Sequence, residues 1–314
     1  MADKLIIIAG PTATGKTALA VDIANTIGGE VVSADSMLVY RGLNIGAAKP
    51  SPEEMRGVPH HLIDVVDPDQ EYSVAVYQKQ ARACINSILA GGKTPLLVGG
   101  TGLYIRSVID DYDFSKVVRD EDLRADLQRE AARDGSDALH RRLAGIDPKA
   151  AERLHPKDIR RIARALEVYY LTGKPLSDSW RLENNKPLYN LLFLGLNMDR
   201  QILYRRIEDR VDSMIEAGLL EEARGLRERG YGPGLTSMQG LGYKEIQTYL
   251  TGSVSWEETV ALIKRNTRRF AKRQLTWFRR DRRIKWLQAG SPAVTREAIE
   301  LWRLFQKGDL PDNG

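Results

Sequence analysis

The chain opens with strand and helix spacings in alternation. Leu5 to Ala9 is an unbroken apolar run of strand length, which reads as a strand buried on both faces. Behind it Leu19, Ala20, Ile23, Ala24 and Ile27 recur at helical spacing. Glu30 to Ala34 reads as a second strand, ending at Asp35-Ser36, and His60 to Val66 as a short apolar segment in a loop-rich stretch. Ser73 is placed to cap a helix that runs to Leu89 and stops at Gly91-Gly92. Leu96 to Val98 is a third buried strand and ends in Gly99-Gly100-Thr101-Gly102. Strands alternating with helices predict an α/β fold with a doubly wound parallel sheet. Ligands of such sheets sit at the carboxyl ends of the strands. The loop at Gly10, Asp35-Ser36 and Gly99-Gly100-Thr101 all fall at such ends, so three segments should converge on one cleft.

The pattern changes after about Tyr112. From Asp120 to Leu176 it is helical, highly charged and without strand character, which returns at Tyr189 to Leu196. This predicts a helical insertion domain, residues 113–188, in an α/β core made of 1–112 together with 189–314. A further helix spans Gln201 to Ala217, with Gly218 as its stop, and the stretch from Gly230 to Gly242 is glycine-rich. Ser255-Trp256-Glu257-Glu258 is a capping box. It opens a long helix with Val260, Ile263, Phe270 and Trp277 expected on one apolar face and Lys264, Arg265, Arg268, Arg269, Lys272 and Arg273 over the rest. Ile284 to Leu287 reads as a final strand.

Composition narrows the class. The chain has 314 residues, 42% hydrophobic and 28% charged, as in a globular protein. No apolar run approaches the ~20 residues of a membrane span. A first strand starting at Leu5 leaves no room for a signal peptide, so a cytoplasmic protein is expected, and separately a monomer. The single cysteine, Cys84, excludes an internal disulfide and a cysteine zinc site. With Tyr77, Ala81, Ile85 and Ile88 it falls on the apolar face of its helix, as a core thiol would. His60 and His61 adjoin, and His140 and His155 are isolated, so no metal site is assigned to histidine. The net charge is +5 and unevenly spread. Residues 1–112 carry nine Lys/Arg against twelve Asp/Glu, whereas residues 255–285 carry eleven against three. So lopsided a helix points to a polyanionic partner.

Gly10-Pro11-Thr12-Ala13-Thr14-Gly15-Lys16-Thr17 matches the phosphate-binding pattern G-x-x-x-x-G-K-[ST], in the strand–loop–helix context that the pattern needs. Its glycines let successive N–H groups turn toward one anion, and the helix N-terminus adds its positive end. Lys16 would neutralise phosphate oxygens and the Thr17 hydroxyl would hold Mg²⁺. The expected fold is thus a P-loop NTPase-like doubly wound sheet with a helical insertion. A nucleoside triphosphate is the default ligand. However, the third strand ends in Gly99-Gly100-Thr101 without the carboxylate that organises Mg²⁺ and water in an ATPase, which argues against simple hydrolysis.

Asp35 reads as a turn aspartate, a Mg²⁺ ligand or a general base, and Thr101 as a turn residue or a ligand contact. Arg160-Arg161-Ile162-Ala163-Arg164 reads as a solvated helix face, or as one whose Arg160 and Arg164 contact successive phosphates. Tyr243, Trp277 and Phe278 have rings able to stack on bases, although the last two, on the long helix, are expected in the core.

Taken together, GPTATGKT at 10–17, SADSMLVYRGLNIGAAKP at 33–50, GGTGLY at 99–104, RRIARALEV at 160–168, QGLGYKE at 239–245 and RRFAKRQLTWFR at 268–279 resemble one family closely. It is that of the bacterial tRNA dimethylallyltransferases, also called tRNA isopentenyltransferases. The segments occur in the family's order and span most of the chain. The resemblance implies transfer of a dimethylallyl group from dimethylallyl diphosphate to N6 of the adenosine 3′-adjacent to the anticodon, in tRNAs reading codons that start with U. Residues 10–17 would then bind the diphosphate leaving group, with Mg²⁺, and not ATP. The residue matching Asp35 is the family's general base, and Thr101 matches a threonine near the reacting group, with Lys16 completing the catalytic set. Contacts to the tRNA anticodon stem-loop are implied for Asp35, Ser36, Met37, Leu38, Thr101, Arg124, Arg160, Arg161, Ile162, Ala163, Arg164, Gln239, Gly240, Leu241, Gly242, Tyr243 and Lys244. The insertion is expected to clamp that stem-loop opposite the basic helix. The alternatives are an adenylate dimethylallyltransferase acting on free nucleotide, a P-loop small-molecule kinase, and a non-catalytic RNA-binding module.

Overall fold

The computed structural model describes residues 3–112, 120–178 and 187–310. They divide into two units, Met1–Ile109 with Pro187–Gly314, and Asp110–Lys186. The insertion thus begins at Asp110 and ends at Lys186, against 113 and 188 expected from the change in periodicity.

Among its described residues the first unit is built on six strands: β1 (Lys4–Ala9), β2 (Gly29–Ser33), β3 (His60–His61), β4 (Thr94–Gly99), β5 (Asn190–Asn197) and β6 (Lys285–Gln288). They pair in parallel in the order β3-β2-β4-β1-β5-β6. β1 is interior, with Ile7 registered on Leu97 at one side and Phe193 at the other. Its residues Leu5 to Ala9 have no exposed surface, because helices cover both faces of the sheet.

The two faces follow the period-two alternation of the strands. Leu5, Ile7, Val32, Leu97 and Phe193 pack with Tyr77, Ala81 and Ile85 of α3 (Val74–Ala90), which follows α1 (Lys16–Ile27) and the one-turn α2 (Pro52–Met55). α4 (Gly102–Ile109) joins this side through Ile105 and Val108. Ile6, Ile8, Val31, Leu96 and Leu192 pack instead with Leu19, Ala20 and Ile23 of α1, and with Trp302 and Phe305 near the C-terminus. The Ser73 hydroxyl accepts the Val76 N–H and so caps α3 where the sequence placed the cap. Cys84 packs half-buried against this core, and burial pushes its thiol pKa up.

The second unit consists, in its described residues, of α5 (Glu121–Asp134), α6 (Ser136–Ile146), α7 (Pro148–Arg153) and α8 (Ile159–Thr172). Leu127, Leu139, Leu143, Ile162 and Leu166 form its own core. Proline in the first turn and the Asp147 carboxylate on the Ala150 N–H start α7, as helix-capping chemistry requires.

The first unit resumes with α9 (Arg200–Glu216), α10 (Leu219–Glu228), α11 (Tyr243–Tyr249), α12 (Trp256–Phe278) and α13 (Val294–Lys307). The capping box at Ser255 opens α12, each partner accepting the other's backbone N–H. The buried stripe of α12 differs from the expected one: it is Thr259, Ile263, Ala271, Gln274 and Phe278. Val260 and Phe270 lie at its margins and Trp277 is 40% exposed. Two polar residues occupy the stripe because hydrogen bonds satisfy them, which a count of apolar positions does not register. Among the described residues no helix is long and apolar enough to cross a membrane.

Candidate active site

The loop between β1 and α1 is shaped by two left-handed residues, Ala13 (φ 63°) and Gly15 (φ 86°). Backbone of this kind curls into a concave row of N–H groups suited to an anion. Among the described residues, none accepts a hydrogen bond from the N–H of Ala13, Thr14 or Gly15. The N–H groups of Lys16 and Thr17 open α1 and have no acceptor within the helix. The Thr14 hydroxyl turns inward and donates to the Pro11 carbonyl at 2.8 Å, so it braces the loop rather than meeting a ligand. Pro11 is buried and carries no N–H, so it gives the loop an acceptor carbonyl but no donor for an anion.

Lys16 Nζ donates to the same carbonyl at 2.7 Å. Burial lowers its pKa to about 8, with Asp35 opposing the shift and the Arg210 guanidinium adding to it. The Thr17 side chain is exposed, and its hydroxyl bonds to no described residue. No group of three or more His, Cys, Asp or Glu side chains able to hold a metal exists among the described residues. Among the described residues a Mg²⁺ would therefore find the Thr17 hydroxyl but no cage of protein carboxylates.

The second and third segments meet beside this loop. Gly99 ends β4 against the backbone of Ala34. A Cβ at Gly99 would lie 2.1 Å from the Ala34 carbonyl oxygen, so only glycine allows the approach. The Thr101 N–H then donates to that oxygen at 3.1 Å. Thr101 Oγ1 accepts the Ser36 N–H at 3.2 Å and donates to Ser36 Oγ at 3.4 Å. Asp35 sits between these anchored residues. Its Oδ1 accepts the Met37 N–H at 2.8 Å, which is the turn-aspartate role. Asp35 thus serves the turn with one oxygen and leaves the other, Oδ2, without a hydrogen-bond partner among the described residues.

Three residues of this neighbourhood were not read from the sequence as site residues. Arg210, half-buried beside the Leu203–Ile207 stripe of α9, lies within electrostatic reach of both Asp35 and Lys16. Burial depresses its pKa, while Asp35 and Glu54 work against that shift. It remains a cation, as arginine does in proteins. Among the described residues no carboxylate forms an ion pair with it. Gln274 of α12 accepts the Thr12 N–H at 2.9 Å and donates to the Gly100 carbonyl at 2.9 Å. Glu222 of α10 accepts the N–H groups of Asn44, Ile45 and Gly46 and the Tyr243 hydroxyl, and so fixes the segment that follows Leu38. An isolated Arg, Gln or Glu in a polar helix pattern gives no signal of such partners.

The stretch Gln239–Lys244 reaches the Asp35 loop. Gly240 packs so closely on Met37 that a Cβ there would lie 2.5 Å from the Met37 methyl. Ser36, Met37, Leu38 and Leu241 are half-buried, Gly242 is buried, and Gln239 and Lys244 are exposed. Tyr243 is fully buried and hydrogen-bonded to Glu222, so its ring is not free to stack on a base. Phe278 is likewise core. Trp277 is the aromatic that stays outside, packed over Gly102 beside Thr101.

The basic helix separates into two groups. Lys264 pairs with Asp212 at 2.6 Å and Arg268 pairs with Glu208, both acids lying on α9. Arg265, Arg269, Lys272, Arg273, Arg279 and Arg280 are exposed and have no carboxylate partner among the described residues. Within the helical unit the buried Glu167 carboxylate takes Arg124 at 2.7 Å, Arg164 at 2.6 Å and the Asp120 N–H at 2.8 Å. Arg124 and Arg164 are therefore internally neutralised, and Arg161 pairs with Asp158. Ile162 and Ala163 are wholly buried in that unit's core, which corrects the expectation of tRNA contact by their side chains. They lie inward because α8 turns one face to its neighbours. Arg160 remains exposed.

Known proteins resemble this chain over most of its length. The model of the IPP transferase family matches residues 38–281, and that of the isopentenyl transferase family residues 3–67. A tRNA dimethylallyltransferase of Desulforudis audaxviator is 59% identical over 299 residues, covering 94% of this chain and 96% of its own. One from Pelotomaculum thermopropionicum is 56% identical over 286 residues, 91% of each chain. The crystal structure of the tRNA isopentenylpyrophosphate transferase of Bacillus halodurans aligns at a TM-score of 0.73 and 46% identity, over 98% of this chain and 97% of that one. A eukaryotic dimethylallyltransferase acting on tRNA aligns at 0.84 and 30% identity, over 99% of this chain and 81% of its own. With matches of this extent and identity, the chain belongs to the IPP transferase family, the family of the tRNA dimethylallyltransferases.

Proposed function

We propose that the protein transfers the dimethylallyl group from dimethylallyl diphosphate to N6 of the adenosine 3′-adjacent to the anticodon, in tRNAs reading codons that start with U, and releases diphosphate. The observation that carries this reading is the cradle of unpartnered N–H groups at 13–15, with Lys16 and Arg210, lying within electrostatic reach of Asp35. It offers cations to a leaving group and a base to a nucleophile, without the acid that a hydrolase uses to organise water.

The chemistry follows from charge. Breaking the allylic C1–O bond puts negative charge on diphosphate, and the loop N–H groups, Lys16 and Arg210 stabilise it there. The C1–N6 bond forms as the C1–O bond breaks, and the N6 proton passes to Asp35 Oδ2. The adenine amine is a weak nucleophile because its lone pair is delocalised into the ring, so removing this proton raises its reactivity. Mg²⁺ would be held by the Thr17 hydroxyl and diphosphate oxygens, and would add charge neutralisation to the leaving group. Thr101, fixed on Ser36, lies on the acceptor side of the cleft. The base must leave its stack to reach this point. Trp277 offers an exposed ring beside it, and the unpaired cations of α12 suit a phosphate backbone. The protein would act as a cytoplasmic monomer.

An adenylate dimethylallyltransferase would share the cradle but has no use for the exposed, unpaired Arg265, Arg269, Lys272 and Arg273 on α12 or for Arg279 and Arg280 just past its end. Incubation with labelled dimethylallyl diphosphate and either unmodified tRNA or AMP separates the two. Label is expected in tRNA at the adenosine beside the anticodon. Label in AMP alone, or phosphoryl transfer from ATP without alkylation, overturns the proposal.

A further inference from the structure

Gln274 bridges the two halves of the candidate site. Its amide oxygen takes the Thr12 N–H of the phosphate loop, 262 residues away in sequence, and its amide nitrogen donates to the carbonyl of Gly100, next to Thr101. Both bonds measure 2.9 Å and the side chain is buried. The approach to Gly100 is tight enough that a Cβ at that position would lie 2.2 Å from Gln274 Nε2. Only a primary amide both accepts and donates at these positions. A carboxylate would face the Gly100 oxygen with like polarity, and an apolar side chain would leave the Gly100 acceptor and the Thr12 donor unpaired.

We infer that Gln274 is a positioning residue that fixes the distance between the diphosphate loop and the Thr101 loop, and thereby the distance between the leaving group and the accepting amine. It touches neither substrate. It takes the Thr12 N–H out of the cradle, so the anion is offered only the donors from Ala13 onward. It ties both loops to α12, one helical step from the exposed Lys272 and Arg273. Displacement transfer depends steeply on approach geometry, and a misplacement of about 1 Å costs about 100-fold. The effect should therefore fall on kcat and not on the binding of either substrate.

This inference rests on the transfer reaction proposed above. The test compares wild type with Gln274→Met, which keeps length and loses both hydrogen bonds, and with Gly100→Ala, which displaces the amide without altering α12. Steady-state prenyl transfer at saturating tRNA and donor is measured beside tRNA affinity by filter binding and the melting temperature. Both variants are expected to lose about 10- to 100-fold in kcat, with tRNA affinity and donor KM within about threefold of wild type. Gln274→Ala with Gly100→Ala is expected to be no slower than Gln274→Ala alone, because the added methyl then has room. Wild-type kcat in either folded single variant, or multiplicative losses in the double variant, overturns the inference. Should Gln274→Met not fold, Gly100→Ala carries the same test. A wild-type protein that alkylates no RNA would instead bring down the proposed reaction.

Discussion

Thr101 Oγ1 accepts the Ser36 N–H at 3.2 Å across 65 residues of sequence. This bond joins the loops beyond two neighbouring strands, β2 and β4. With the Thr101 N–H on the Ala34 carbonyl, it holds the backbone on both sides of Asp35. The carboxylate is thereby placed by the sheet rather than by a flexible loop, which is what a base acting on a bound substrate requires.

Asp35→Asn separates the two duties of this side chain. The amide oxygen still accepts the Met37 N–H, but the group no longer takes a proton. Turnover is expected to fall by about 10²–10⁴-fold, with tRNA affinity and melting temperature close to wild type. Steady-state kinetics beside filter binding checks this. Wild-type turnover would remove Asp35 from the chemistry.

Lys16 gives a pH dependence. Burial lowers its pKa to about 8, so it is charged at pH 7 and largely neutral one unit above its pKa. Diphosphate favours the charged form. Donor affinity for the free enzyme is therefore expected to fall as pH rises through 8, and binding near pH 8.5 should take up a proton. Calorimetry in buffers of different ionisation enthalpy measures that uptake. Flat affinity from pH 7 to 9 with no uptake would contradict it, and Lys16→Ala should abolish the dependence while sparing tRNA binding.

The two groups of cations on α12 should differ in their effect on RNA. Reversing Arg269 and Lys272, both exposed and without a carboxylate partner, is expected to weaken tRNA binding and to flatten its salt dependence, by about 0.7–0.9 in slope for each phosphate no longer neutralised. Reversing Arg268 instead breaks its pair with Glu208 and should alter the slope less. Slopes unchanged from wild type in both variants would assign the whole stripe to solvent.

Glu167 supports the helical unit. Burial pushes its pKa up, but the hydrogen bonds from Arg124 and Arg164 outweigh this and hold it below 4.5. A carboxylate whose pKa is depressed by folding stabilises the fold above its unfolded pKa, and that contribution is lost as pH falls through the folded value. Glu167→Gln is expected to destabilise the protein by about 3 kcal/mol at pH 7, because two partly buried guanidinium groups lose their charge partner. Urea titrations should show the difference from wild type shrinking below about pH 4. A pH-independent difference would mean that packing, not charge, is responsible.

Much of the site was legible in the residues themselves. The curled loop after β1 shows itself because its backbone is dictated by local residues such as Gly15. The strands show themselves because burial on both faces demands continuous apolar runs. Asp35 and Thr101 could be located at the ends of β2 and β4, since in a parallel sheet the ends bearing ligands are known from chain direction alone. The helical insertion was visible as a change of period, with its edges displaced by a few residues.

What the chain alone determined is thus the set of local devices: the left-handed loop after β1, the caps, the strand pattern and the surplus of positive charge on α12. Only the tertiary structure decided which polar groups are used up internally and which are left for a ligand. Arg124 and Arg164 are neutralised by Glu167, Tyr243 is buried on Glu222, and Ile162 and Ala163 face inward, while Arg210 and Gln274 enter the site from helices distant in sequence. The reason is that a side chain's partner is set by long-range packing of α8, α9, α10 and α12, and residue type reports only that a partner is needed, not where it comes from.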